Sequence, residues 1–243
     1  VVKFRGAGQG TKALVAELLS AAVAQALGLP LPEPVIIEVD PAMARTEPDE
    51  EVGDLLRASP GLNFALEYLP GAVMYTRGAD APPPGSLASA IVWLDAYLMN
   101  VDRTVRNPNL LVQNGQLHLI DHGAALYWHH DWDPGSDRSG DRFSRVRDHV
   151  LLPWADALAE ASPGLVERLT DEHIAAAVAA LPEDWLVGTS GGGPAEQRAG
   201  YAAFLRKRRD QSHTFIEEAV KARAEEAARA RGTEAAGART RGV

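Results

Sequence analysis

The chain has 243 residues, 46% hydrophobic and 23% charged, a balance that suits a soluble globular protein with core enough for one large domain or two small lobes. Lys and Arg number 24 against 33 Asp and Glu, and the formal net charge of −9 argues against a surface built wholly for nucleic acid or anionic lipid. Cysteine is absent, which excludes disulfides, thiolate zinc sites, iron–sulfur clusters and a Cys nucleophile, and favours a cytoplasmic location.

The longest hydrophobic stretch, residues 18–32, contains Gln25 and Pro30 and falls short of a membrane span. No signal peptide is visible, so no membrane partner is expected. Only Lys3, Lys12, Lys207 and Lys221 are Lys, and the Arg- and Ala-rich remainder suggests a GC-rich bacterial genome.

The chain begins Val1-Val2-Lys3-Phe4, without Met and already strand-like, so its true start is expected upstream. Gly6, Gly8 and Gly10 alternate through the next turn, whose exposed amides suit either a phosphate or a flexible strand-to-helix connection. Thr11 is placed to cap a helix over residues 12–27, where Leu14, Val15, Leu18, Leu19, Ala22, Val23, Ala26 and Leu27 recur at helical spacing and Gly28 and Pro30 end the run. Residues 35–39 read as a strand, 52–57 as a short helix, and 63–69 as a strand stopped by Pro70-Gly71. Residues 76–86 form a Gly/Pro linker, and Ser86 is placed to cap an apolar helix running to about Asn100. Residues 129–148 read as a long polar loop. Helical patterns return over 150–160, 163–181 and 195–231, and residues 232–243 lack anchoring apolar side chains and are expected to be disordered.

Between residues 110 and 120 lies a hairpin signal. Asn114-Gly115 meets the two positive φ angles of a type I′ turn. With that turn as a two-residue loop, Gln113 faces Gln116, Val112 faces Leu117, and Leu110 faces Leu119. The last four are apolar and share one face, as a half-buried hairpin requires. The same register brings Asn107 and Pro108 near Asp121 and His122, with Asp102 just before, at the end of the apolar helix. An Asn amide and an Asp carboxylate suit a hard ion such as Mg²⁺, completed by water and phosphate oxygens. Asp102, not needed for the ion, can accept a proton from an attacking hydroxyl. The competing reading is that all three are turn and cap residues.

At these residues the chain resembles the protein-kinase-like superfamily. Asp102-Arg-Thr-Val-Arg-Asn107 has the Asp-x4-Asn spacing of its catalytic loop, and Leu119-Ile120-Asp121-His122-Gly123 is similar to its DFG motif with His in place of Phe. Phe64-Ala65-Leu66-Glu67-Tyr68-Leu69-Pro70-Gly71 resembles the strand and hinge that hold adenine. Within the superfamily, Asn107-Pro108-Asn109-Leu110-Leu111, the early helical Glu17 and Gly28-Leu29-Pro30-Leu31-Pro32 are similar to HipA-like Ser/Thr kinases, while the Asp-Arg-Thr opening also resembles phosphatidylinositol kinases. Thr104 stands where HipA-like kinases usually have His.

The resemblance implies an α+β, two-lobed protein-kinase-like fold. Residues 1–70 would be a truncated N-terminal nucleotide-binding lobe ending in the hinge, and residues 71–231 a mainly helical catalytic lobe. It implies an ATP- and Mg-dependent phosphotransferase acting on a hydroxyl, with protein Ser/Thr as the expected acceptor. The alternatives are a nucleotide-binding pseudokinase or interaction module, or a lipid or small-molecule kinase. Lys3 would contact the phosphates with Glu17 as its ion-pair partner, and Glu67, Tyr68 and Leu69 would offer backbone groups to adenine. Asp102 would orient or deprotonate the acceptor, and Asn107 and Asp121 would hold Mg²⁺, with Asn109 competing with Asn107 for that role.

Other signals read more simply. The Gly6–Lys12 stretch fails the P-loop pattern, because Thr11 separates Gly10 from Lys12. His129, His130, Asp131, Asp133, Asp137 and Asp141 are metal-ligand types without metal-ligand spacing, and read as a solvated activation or substrate loop. Arg206-Lys207-Arg208-Arg209 reads as a solvated helix face, with nucleic acid or an acidic partner as the alternative. Trp93, Tyr97 and Met99 read as core.

Overall fold

A computed structural model describes residues 1–8, 10–131, 137–187 and 192–240, with the side chains of 232–240 outside that description. The described chain is mixed α/β, with two small antiparallel sheets and seven α-helices. The first sheet has the order β1-β3-β2, from β1 (Val2–Lys3), β2 (Pro34–Val39) and β3 (Gly61–Leu66). Lys3 faces Phe64 across β1 and β3. The second sheet has the order β4-β5-β6, from β4 (Val73–Met74), β5 (Leu110–Gln113) and β6 (Gln116–Leu119).

The β5–β6 hairpin adopts the expected register, pairing Leu110 with Leu119, Val112 with Leu117 and Gln113 with Gln116. Asn114 and Gly115 have φ of 52° and 78°, as a type I′ turn demands. Leu110 and Leu119 are fully buried, and Leu119 N–H also bonds Pro30 O at 2.9 Å, which ties the hairpin to the chain leaving the first long helix. The antiparallel pairing of β6 rules out a parallel P-loop sheet around it.

Two helices are apolar on nearly every side and form the centre. They are α1 (Gly10–Ala26), packed on β3 and on α5 (Asp171–Ala179), and α3 (Gly85–Tyr97), packed on α4 (Leu158–Arg168) and α7 (His213–Thr240). Trp93, Tyr97 and Met99 are fully buried, as expected. Helix α2 (Glu50–Ala58) is capped by Asp49, which accepts from the N–H groups of Glu51 and Val52.

Several local expectations are corrected by the structure. Helix α1 starts at Gly10, whose φ is 64°, so Thr11 lies inside the helix rather than capping it. Helix α3 starts at Gly85, with no side-chain cap from Ser86. Asp156 presses so closely on Gly85 that a Cβ there would lie 2.0 Å from its carboxylate. The strand expected over 63–69 ends at Leu66, and the expected 163–181 helix breaks before Thr170, which accepts from His173 N–H to cap α5. The 195–231 pattern divides into α6 (Pro194–Asp210) and α7.

Residues 232–240, expected to be disordered, continue α7. Residues 241–243 lie outside the described residues, as does Asp133.

The basic run on α6 is not a uniformly solvated face. Arg208 is fully buried, donating to the carbonyls of Tyr97, Ala96, Ser139 and Asp141 and lying over the Phe215 ring. It supplies donors to carbonyls at the end of α3, where the helix's own N–H groups run out. His129 is likewise buried rather than solvated, bonded through Nδ1 to the Tyr201 hydroxyl at 3.0 Å.

No described helix is long and apolar enough to cross a membrane.

Candidate active site

A cavity of about 510 Å³ lies between the first sheet, the start of α1 and the chain leaving the β5–β6 hairpin. Lys3, Asp102 and Asp121 line it together, beside Gly8, Gly10 and Gly123. Three separate stretches of chain therefore deliver their polar side chains to one space.

Strand β1 places Lys3, and α1 places Glu17 opposite it. Lys3 Nζ sits 2.6 Å from Glu17 Oε1 and also donates to Asp121 Oδ1. Glu17 is fully buried, with His122 Nδ1 3.8 Å from its other oxygen. Burial alone would raise the Glu17 pKa, but His122 and Lys3 outweigh it and hold the carboxyl at about 2. Burial alone would lower Lys3, but Glu17 and Asp121 raise it above the usual ammonium value. Both groups are therefore charged across the neutral range.

The loop between α3 and β5 shapes the other wall. Asp102 Oδ2 accepts from the Asn107 side-chain amide at 2.7 Å and from the Asn109 amide at 3.4 Å. The Asn109 amide also reaches the Asp121 carbonyl at 3.4 Å, and Ile120 N–H bonds Asn109 O at 3.1 Å. Asn109 is buried, and both Asn109 (φ 48°) and Asp121 (φ 54°) hold left-handed backbone conformations. Such a conformation is costly for a residue other than Gly and concentrates where geometry serves a site. Thr104, the residue standing where His was expected, accepts from Asn107 N–H at 3.2 Å and so shapes the loop.

The residues expected to act together are only partly brought together. Lys3, Glu17, Asp102 and Asp121 converge, and Asn107 joins them through Asp102. Asn107 does not bond Asp121; the residue that links Asp102 to the Asp121 backbone is Asn109. Glu67, Tyr68 and Leu69 do not line the cavity. The Glu67 N–H is already bonded to Glu33 O at 2.9 Å, and Tyr68 is 69% exposed. His122 was not expected as a partner of Glu17; only its place beside Asp121 hinted at it.

Gly6 serves packing. Its N–H bonds Ser59 Oγ at 3.0 Å, and a Cβ there would lie 2.5 Å from Ala58 O. Gly8 and Gly10 face the cavity instead.

Among the described residues no three His, Asp or Glu side chains form a metal site. A hard cation at this cavity would therefore rest on Asp121 and an Asn amide oxygen, the few-ligand pattern that suits Mg²⁺ bound with phosphate oxygens. Asn107 is the half-buried Asn beside this cavity, tied to its lining through the bond its side-chain NH₂ donates to Asp102.

Residues 1–198 match the family model described as HipA-like kinase. The chain belongs to the HipA-like kinase family. The match runs well past the hairpin and includes α4, α5 and the start of α6. No curated protein and no solved structure matches the chain. The paired Lys3 and Glu17, the loop bearing Asp102, and Asp121 all fall within the matched residues.

Proposed function

We propose that the protein transfers the γ-phosphoryl group of ATP to a hydroxyl, with Mg²⁺ as cofactor and a protein Ser or Thr as acceptor. One observation carries this reading: Lys3, Asp102 and Asp121 face a single cavity, with Lys3 paired to a buried Glu17. In this reading residues 1–70 form the nucleotide lobe and residues 71–231 the catalytic lobe. Lys3 binds the phosphates and Glu17 fixes its side chain. The Glu67–Leu69 backbone meets adenine through groups other than the Glu67 N–H. Asp102, oriented by Asn107, accepts the proton of the acceptor hydroxyl. Asp121 and Asn107 hold Mg²⁺, whose charge offsets what develops on the transferring phosphoryl oxygens.

The test of acceptor class is transfer from γ-labelled ATP to Ser/Thr peptides, inositol lipids and small alcohols in parallel. Label on the peptides, removed by alkaline phosphatase but stable to acid, supports the proposal. Label only on lipid or small alcohol replaces the protein acceptor with the kinase alternative that the Asp-Arg-Thr opening suggests.

A second reading, nucleotide binding without turnover, has its own observation. Lys3 already engages Asp121, so a cation must compete with an ammonium for that oxygen. ATP binding with no label on any acceptor would favour it.

A further inference from the structure

We propose that Arg103 is a positioning residue that holds Asp102, Asn109 and Asp121 in one arrangement, by tying the loop before β5 and the end of β6 to a buried carboxylate on α3. This rests on the same cavity as the proposed function and adds a residue outside its lining. Arg103 and Asp95 are both fully enclosed, with side-chain exposures of 0% and 0%. Arg103 Nε donates to Asp95 Oδ2 at 2.5 Å. A second arm of the guanidinium, Nη1, donates to the carbonyls of Asn109 and Ile120, the latter at 3.3 Å.

The placement is specific. Arg103 follows Asp102, one acceptor belongs to Asn109 itself, and the other belongs to the residue before Asp121. The planar fork of a guanidinium reaches all three acceptors at once, and an ammonium cannot. Asp95 in turn accepts from the Asn100 side-chain amide at 2.9 Å and from His149 Nε2 at 2.9 Å. His149 Nδ1 accepts from Leu151 N–H, so the ring donates to Asp95 as the neutral tautomer. Val150 N–H bonds Arg103 O at 3.1 Å, which brings the chain after Asp121 onto the same anchor.

Simple structural support explains the ion pair but not its aim. A buried ion pair is often replaceable by apolar side chains of similar size, here with some loss of stability because Asn100 and His149 would lose their bonds to Asp95. An apolar pair cannot hold the carbonyls of Asn109 and Ile120, so variants that stay folded should lose order at the site and turnover, beyond any fall in thermal midpoint.

The experiment uses the full chain as wild type, Arg103→Lys, and the double variant Asp95→Leu/Arg103→Met. Three quantities are read: thermal midpoint, hydrogen-exchange protection of the Ile120 amide, and ATP turnover as a function of Mg²⁺. The expected result is folded variants with Ile120 protection reduced about 10-fold or more, turnover lowered about 10- to 100-fold, Mg²⁺ half-saturation raised, and the KM for ATP within about 2-fold of wild type. Wild-type protection and turnover in either folded variant would overturn the proposal. Loss of folding in both would also overturn it, since Arg103 would then serve the fold alone. If the wild type shows no turnover, the phosphotransfer reading fails separately, and Ile120 protection alone decides the role of Arg103.

Discussion

Lys3 Nζ bridges two carboxylates, lying 2.6 Å from Glu17 Oε1 and in contact with Asp121 Oδ1. The two partners differ in exposure: Glu17 is fully buried, whereas the Asp121 side chain is 47% exposed. Glu17 is therefore the fixed partner, and Asp121 is the one a cation can claim.

That difference predicts opposite effects for one substitution. Lys3→Ala should weaken ATP binding about 10-fold or more, while the affinity for Mn²⁺ alone should rise, because a neighbouring cation has been removed from Asp121. Calorimetric titration with each ligand separately checks both signs. A fall in both affinities would make Lys3 a general support for the cavity.

The same pair predicts an acid limit to stability. The Glu17 carboxyl is held at about 2, below its ordinary 4.5. A depressed folded pKa stabilises above the unfolded value and is lost as pH falls through the folded one, so this contribution fades between about pH 4.5 and 2 and amounts to roughly 3 kcal/mol. Glu17→Gln should be less stable than wild type at pH 7, with the gap narrowing across that window. Urea unfolding at several pH values reads it; a constant gap would assign the loss to packing alone.

Asn107 and Asn109 should separate by what they cost. Asn109 is buried and bonded on two sides, so Asn109→Ala should destabilise by about 1–3 kcal/mol. Asn107 is only half-buried, so Asn107→Ala should leave the thermal midpoint nearly unchanged and lower turnover. Thermal denaturation alongside turnover distinguishes them, and equal destabilisation by both would place Asn107 in the scaffold.

The basic run on α6 offers a stability contrast. Arg208→Ala strips a donor from four carbonyls, three of them at buried bonds, and should cost about 3 kcal/mol or more, whereas Lys207→Ala removes an exposed pair with Asp137 and should cost less than about 1 kcal/mol. Denaturant midpoints for the two variants test this.

How far the residues reveal the fold depends on whether the cause is local. The β5–β6 hairpin was legible because Asn114-Gly115 fixes the turn and the apolar alternation fixes the register. The Lys3–Glu17 pair and Asp121 were legible through the resemblance, since each sits in a short motif. Arg208 and His129 were not, because their partners lie far along the chain, and Arg103 was not, because its full burial is a tertiary property that residue type argues against. The start of α3 was misplaced for the same reason: Asp156 against Gly85 is a distant contact, invisible to a capping rule.

The most direct measurement is Mg²⁺-dependent ATP consumption by the wild type beside Asp102→Ala and Asp121→Ala, with each variant's folding checked by its thermal midpoint. The wild type should turn over ATP, and both folded variants should lose about 100-fold or more of that activity. Unchanged turnover in either folded variant, or none in the wild type under any acceptor, would contradict the proposed phosphotransfer.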